Sequence, residues 1–398
     1  DFKMVNDSLG HGAGDELLVA VAARLSALHG PEDTVARFGG DEFAILVADH
    51  GPADLDQVAE RVMVSFRQPF VLGTDEVTVH ASIGLALGQA ETDDAGDLIR
   101  NADVAMYVAK RNGKDRCEVF EASMYEAARR RLEVAGELHG AIGRGELVLH
   151  YQPVVELHNG RIVGAEALVR WQHPERGFLP PSEFIPIAET RAVIITLGRW
   201  VLNAACRQVA AWRREGIVDP EFYVTVNLSA RHVQDPGVVD DVVSALRDAD
   251  LPASAIVIEV TESTLIHDLE RTRITLAELK RVGVRLAVDD FGTGYSSLSY
   301  LGSFPVDLVK IDKSFVDHVA KTPSGAALVR AVVELAHGLG LKAVAEGVEE
   351  RDQAVALEGL GCTLAQGYLF ARPLPAEGLA AAVAADHAVN APVGAAHR

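Results

Sequence analysis

The sequence predicts two α/β units in series: a mixed α/β and α+β unit first, then a (β/α)8 barrel of the TIM type, with one long helix joining them. Three observations carry this. The chain has 398 residues, more than a single core holds when domains average roughly 150 residues. Its apolar pattern changes character near Gly145. Beyond that point, eight short apolar runs separated by helical stretches fill the roughly 250 residues that such a barrel occupies.

Taken in order, residues 1–120 form the first unit. Apolar residues at helical spacing predict a helix over 14–28, and a Gly-Gly turn leads into a strand over 43–47. Alternation predicts another strand over 77–87, followed by a helix over 97–111. Residues 121–144 keep a helical period, present Arg129, Arg130 and Arg131 on a solvated face, and stop at Gly145; this is the connecting helix. The barrel spans 145–384, with strands over 147–155, 162–171, 223–228, 256–260, 285–288, 308–311, 342–345 and 363–370. Helices over 196–215, 268–282 and 324–339 lie between several of them, and 385–398 reads as a frayed tail.

Composition narrows the function. With 48% hydrophobic and 24% charged residues, the chain is neither disordered nor a simple coiled coil. Lys plus Arg minus Asp plus Glu is 37 − 57 = −20, which argues against a DNA or RNA polymer or an anionic membrane as partner, because those need a basic footprint. Cys117, Cys206 and Cys362 are too few and too scattered for a disulfide framework or a zinc site, and fit a reduced cytoplasmic chain. No apolar run reaches the roughly 18 residues of a membrane span. The start at Asp1, without an initiator Met, predicts a fragment of a longer protein.

Polar residues interrupt or close the barrel's apolar runs: Glu166, Asn227, Glu259, Asp289 with Asp290, Lys310, Glu346 and Gln366. In a parallel barrel the strand ends share one mouth, so these residues converge there. Several carboxylates in one place repel unless divalent cations neutralise them. Oxygen ligands without Cys or His suit Mg²⁺ or Mn²⁺, and the adjacent Asp289 and Asp290 suit two ions, an arrangement that serves phosphodiester hydrolysis. The plain alternative makes each acid the N-cap of the following helix. So many polar residues on successive strand ends exceed what capping explains, and Lys310 or Glu346 buried unpaired would cost several kcal/mol.

The same residues carry a family resemblance. Glu166-Ala167-Leu168-Val169-Arg170-Trp171, with Tyr151-Gln152-Pro153, Asn227-Leu228-Ser229, Glu259-Val260-Thr261-Glu262 and Asp289-Asp290-Phe291-Gly292-Thr293-Gly294, resembles the EAL phosphodiesterases. The match continues through Lys310-Ile311-Asp312, Ala345-Glu346-Gly347-Val348-Glu349 and Gln366-Gly367-Tyr368. The resemblance implies hydrolysis of cyclic di-GMP to linear pGpG with two divalent cations, Mg²⁺ or Mn²⁺. It implies Glu166, Asn227, Glu259, Asp289 and Asp290 as metal ligands. Lys310 and Glu346 then position or deprotonate the attacking water, and Gln366 and Glu349 support them. Glu262 anchors a mobile loop over 290–296, and Gln152 and Arg170 contact substrate. One departure, Ala188-Glu189-Thr190-Arg191-Ala192, lies away from these residues.

In the first unit, Arg37-Phe38-Gly39-Gly40-Asp41-Glu42-Phe43 reads as a hairpin that presents two acids at its tip. Together with Phe2 to His11, Gly14-Asp15, Ala102 to Tyr107, Ala109-Lys110 and Gly113-Lys114, it resembles the GGDEF diguanylate cyclases. The resemblance implies that Asn6 and Asp15 read guanine, Lys110 and Lys114 hold phosphates, and Asp41 and Glu42 serve a metal and the attacking 3′-hydroxyl. The family condenses two GTP molecules across a homodimer. A metal-binding Asp of its first strand would precede Asp1, so these residues are expected to lack one ligand and part of the sheet. Gly30 stands where the family's inhibitory Arg-x-x-Asp site has its arginine, so feedback there is expected to be weak or lost. His11 reads as a structural or capping residue. The intact protein is expected to carry an upstream sensory domain, and GTP is expected as substrate or regulator of the first unit. A receptor that holds cyclic di-GMP or GTP without turnover is the alternative; its signature would be lost ligands, and the barrel has none missing.

Overall fold

The computed structural model describes residues 2–30, 32–48, 52–88, 94–190, 193–292 and 301–390. Asp1, Pro31, Arg191, Ala192, most of the expected mobile loop and the end of the expected tail lie outside the described residues. The chain divides into two compact units, Asp1–Leu132 and Glu133–Arg398. No helix among the described residues is long and apolar enough to cross a membrane. Cys206 and Cys362 are buried, Cys117 is partly buried, and all three are free thiols.

The first unit packs the helices Phe2–Leu9, His11–Ala27 and Pro52–Phe66 and three strand pairs around Val5, Leu17, Val21, Leu25, Val62, Phe66, Phe70 and Leu72. Strands β1 (Thr34–Gly39) and β2 (Glu42–Leu46) form the expected antiparallel hairpin, turning at Gly40 with φ 52°. Arg24 ties helix to sheet: its guanidinium lies 3.4 Å over the Phe70 ring and donates to the carbonyls of Ser65, Gln68 and Pro69. The strand expected over 77–87 is broken. β3 (Phe70–Leu72) pairs with β4 (Asp75–Val77) around Gly73, and β5 (Ile83–Leu85) pairs in parallel with β6 (Cys117–Val119). The helix Ala95–Arg111 presses so closely on β5 that a Cβ on Gly84 would lie 2.0 Å from the Ala102 carbonyl oxygen.

In the second unit all eight expected strands are present: β7 (Leu147–Glu156), β8 (Ile162–His173), β10 (Tyr223–Asn227), β11 (Ile256–Thr261), β12 (Arg285–Phe291), β13 (Leu308–Ile311), β14 (Lys342–Ala345) and β15 (Leu364–Ala365). They close in the order β10-β11-β12-β13-β14-β15-β7-β8, with β8 returning to β10; a short β9 (Gly177–Leu179) pairs alongside β8. The barrel expected to be parallel throughout has two antiparallel seams, because β7 runs against both β8 and β15. The reason is loop length. Only residues 157–161 join β7 to β8, with Gly160 at φ 74° and Gly160 N–H donating to Glu156 O, whereas a parallel crossover needs a dozen residues or more. β15 is also shorter than expected, since the chain turns at Gly367, where a Cβ would meet the Val348 backbone at 2.1 Å.

Helices cover the outside of the barrel, and the apolar stripe of Val193–Arg214 (Leu197, Val201, Ala205, Val209 and Trp212) is buried against it. The helix Ala122–Arg144 places Val134, Leu138 and Ala141 in the same core. The last helix, Ala376–Asn390, continues past 384, where the tail is expected to begin; alanine's high helix propensity and the burial of Leu379 and Val383 account for that.

Candidate active site

Period-2 alternation builds the site inside the barrel. One interior layer is apolar: Val154, Tyr223, Val257, Ala287, Leu308, Val344 and Leu364. Side chains two residues apart on a strand share a face. Stepping two residues from Val257, Ala287, Leu308, Val344 and Leu364 therefore reaches Glu259, Asp289, Lys310, Glu346 and Gln366. On β7, which runs the other way, the step from Val154 goes backwards to Gln152, paired across the seam with Glu166. On β10 it passes through buried Thr225 to Asn227, which lies beside Glu259. Thr225 belongs to this polar layer and was not singled out from the sequence; stepping back two residues from Asn227 finds it.

Lys310, 3% exposed, is the centre. Its ammonium lies 2.6 Å from Glu346, 3.1 Å from Glu259, 3.2 Å from Asp289 and 3.3 Å from Glu166. Burial opposes its charge, but the four carboxylates outweigh burial and hold its pKa well above the ordinary range. Glu166 is bound three ways: Asn227 Nδ2 donates to it at 2.7 Å, Gln366 Nε2 at 2.6 Å, and Lys310 beside it. Burial raises its pKa, yet Lys310 and the two amides bring it below the usual carboxylate value. Burial lifts Glu259 well above that value, with Glu166, Asp289 and Glu346 adding to the effect and Lys310 opposing it. Burial also pushes Glu346 up to about 8.

The acids at the end of β12 are held by an irregular backbone. The ladder shifts register between Val288 and Phe291, and Asp290 adopts φ 54°, a left-handed conformation uncommon for a residue with a Cβ. Asp290 N–H donates to Asp289 Oδ1 at 3.0 Å. Glu262, buried, accepts from Gly292 N–H at 2.8 Å. Gln152 Nε2 donates to Ala371 O, and Arg170 Nη1 to Val169 O. Burial lowers the Arg170 guanidinium, with Tyr368 and Glu166 pulling the other way. Glu349 is exposed and lies 3.3 Å from Lys313 Nζ, outside the cluster around Lys310.

The first unit gathers its candidates less tightly. Lys110 Nζ reaches Glu42 Oε1 at 3.7 Å, which brings a phosphate-binding candidate to the hairpin. Asp41 is exposed in the turn, where Arg37 donates twice to Gly40 O. Asn6 packs against Gly14: a Cβ there would lie 1.9 Å from Asn6 Oδ1, so only glycine lets Asn6 sit next to the segment carrying Asp15. Lys114 is exposed, with φ 57°.

Divalent cations fit the second site. Glu166, Glu259, Asp289, Asp290 and Glu346 outnumber the one ammonium among them. Asp289, Asp290 and Glu346 also offer carboxylate oxygens within 4.8 Å of one another, an all-oxygen donor set.

A closed eight-stranded barrel with a lysine-centred ring of carboxylates at the strand ends defines the class. The chain belongs to the EAL domain family, whose model matches residues 135–373, and residues 1–116 match the diguanylate cyclase GGDEF domain. The bifunctional diguanylate cyclase/cyclic di-GMP phosphodiesterase MucR of Pseudomonas aeruginosa is 44% identical over 383 residues, covering 96% of this chain and 56% of MucR. The cyclic di-GMP phosphodiesterase PdeR of Escherichia coli is 40% identical over 376 residues, covering 94% of this chain and 56% of PdeR. The chain thus spans little more than half the length of either relative. Among solved structures, the PaMucR phosphodiesterase in complex with c-di-GMP matches with a TM-score of 0.60 and 44% identity, covering 62% of this chain and 99% of that one.

Proposed function

We propose that the second unit hydrolyses cyclic di-GMP to linear pGpG, and that the first unit serves the intact protein as a diguanylate cyclase or a GTP-binding regulator. The observation that carries this is the buried Lys310 ammonium within 3.3 Å of four carboxylates from four different strands or strand ends. Such a charge cluster is costly as a structural device and suits a site that binds cations and a phosphodiester.

Glu166, Asn227, Glu259, Asp289 and Asp290 would hold two divalent cations, Mg²⁺ or Mn²⁺, whose chemistry when bound is Lewis acidity toward the phosphodiester. Arg170 offers a planar donor fork to phosphate, and Gln152 contacts the substrate. Glu346, fixed by Lys310 and by Gln366 Nε2 at 3.3 Å, accepts the proton of the attacking water as the new P–O bond forms; the bond to the 3′-oxygen breaks with its electron pair on that oxygen, which takes a proton from solvent to leave as the 3′-hydroxyl of pGpG. The Lys310 ammonium faces the charge that builds on the phosphate. Glu262 fixes the backbone after Asp290, and Glu349 supports the site through Lys313. In the first unit, Asn6 and Asp15 read guanine, Lys110 and Lys114 hold phosphates, and Asp41 and Glu42 serve the reaction. A homodimer, a cytoplasmic location and an upstream sensory domain in the intact protein belong to the same reading.

The test is incubation with cyclic di-GMP and Mg²⁺ or Mn²⁺, with and without GTP, followed by chromatography. We expect pGpG from the native chain and none from a Glu166→Ala variant that keeps its fold. Unchanged pGpG formation by that variant would overturn the site. Cyclic di-GMP that binds without turnover would make the protein a receptor. We also expect Mn²⁺ to raise the melting temperature by linkage; an unchanged melt would count against the metal site.

A further inference from the structure

We infer that Phe315, with the stem of Lys313, is a positioning residue that sets the acidic cluster for its cations by bracing two glycines. The inference rests on the metal-dependent reading of the barrel site. Three residues of the cluster, Asp289, Asp290 and Glu346, come from the ends of β12 and β14, and β13 lies between those strands. The single helical turn Lys313–Val316 follows β13 directly, nucleated by Asp312, whose carboxylate accepts from Ser314 N–H at 2.9 Å. Topology thus places that turn between the two acidic strand ends.

Its side chains reach both. Gly292, two residues after Asp290, has φ 97°, and a Cβ on it would lie 2.8 Å from Phe315 Cζ and 2.9 Å from Cε2. The ring therefore lies flush against a bare α-carbon while Glu262 holds the same residue's N–H at 2.8 Å. Gly347, one residue after Glu346, has φ 63°, and a Cβ there would lie 2.5 Å from Lys313 Cγ. Lys313 is itself fixed by ion pairs to Asp317 at 2.7 Å and Glu349 at 3.3 Å.

Asp290 is held at φ 54°, and such a conformation persists only where its surroundings over-determine it. Asp289 holds the N–H of Asp290 itself, while Glu262 and the Phe315 ring hold Gly292 two residues on. Take away the ring and Gly292 gains room on one side, so Asp290 loses its fixed register relative to Asp289 and Glu346. Groups that hydrogen-bond a metal's ligands change affinity by about 10-fold to 100-fold when removed, and a brace on the backbone beside a ligand acts at the lower end of that range.

The experiment titrates the full chain with Mn²⁺, following the loss of the free-ion electron paramagnetic resonance signal. Metal-free melting temperatures are recorded alongside. Phe315→Ala is expected to weaken Mn²⁺ uptake by about 10-fold or more. Phe315→Leu, which keeps apolar bulk on the core but withdraws the ring tip from Gly292, is expected to weaken it less and keeps the test decisive if the alanine variant does not fold. Wild-type Mn²⁺ uptake in a folded variant that merely melts earlier overturns the brace and leaves the metal site standing. A native chain that leaves the Mn²⁺ signal untouched overturns both.

Discussion

Glu259 shows at the scale of one residue how function and stability pull apart. It is 1% exposed, and burial lifts its carboxyl well above the ordinary range, with three neighbouring carboxylates adding to that and Lys310 opposing it. A group so placed costs stability unless cations offset it. Glu259→Gln keeps the shape and removes the charge, and Lys310 retains Glu166, Asp289 and Glu346 as partners. We therefore expect the variant to melt higher than the native chain in a chelator, by about 1–2 kcal/mol in stability, and to lose pGpG formation. A lower melting temperature in chelator would mean that Glu259 is held as a structural ion-pair partner of Lys310. The strand-end acids were legible in the sequence for a simple reason: a charge inside an apolar run stands out. Thr225 does not, because threonine is ordinary in strands, and Phe315 does not, because its role lies in touching a glycine far away along the chain.

Elements were legible wherever a period governs them. The helix expected over 97–111 is Ala95–Arg111, that over 121–144 is Ala122–Arg144, and that over 268–282 is Leu269–Val282. What periodicity leaves out is direction and close approach. Apolar alternation locates the strands from 147 and from 162, but their antiparallel pairing is set by a five-residue connection rather than by either strand. The break in the run over 77–87 was hidden because alternation continues through residues that form no ladder. Close approach can be tested at Gly84, where the helix Ala95–Arg111 crosses β5. A methyl there would lie 2.0 Å from Ala102 O and 2.2 Å from Met106 N, both backbone atoms that cannot rotate away. Gly84→Ala is expected to destabilise the first unit by about 1–3 kcal/mol, seen as a lower denaturant midpoint, while pGpG formation by the second unit continues. An unchanged midpoint would mean that helix and strand have slack the geometry does not contain.

For the whole molecule, the division at Leu132 and Glu133 falls inside a helix rather than in a loop. The reason is that Val134, Leu138 and Ala141 bury into the barrel's core, so the helix's second half is part of the second unit. That unit supplies every member of the polar layer, from Gln152 on β7 to Gln366 after β15, together with the short turn that braces it. Nothing in the proposed hydrolysis draws on a side chain before Glu133. Residues 133–390, produced alone, are therefore expected to fold cooperatively and to form pGpG from cyclic di-GMP with Mg²⁺ or Mn²⁺ at a rate that GTP leaves unchanged. In the full chain the proposed GTP site, with Lys110 beside Glu42 and Asn6 against Gly14, lies in the first unit. A GTP effect on the full chain, absent from the fragment, assigns regulation to that unit. A folded fragment without activity would show that the barrel needs the first unit for catalysis, and a GTP effect on the fragment itself would place nucleotide recognition in the barrel.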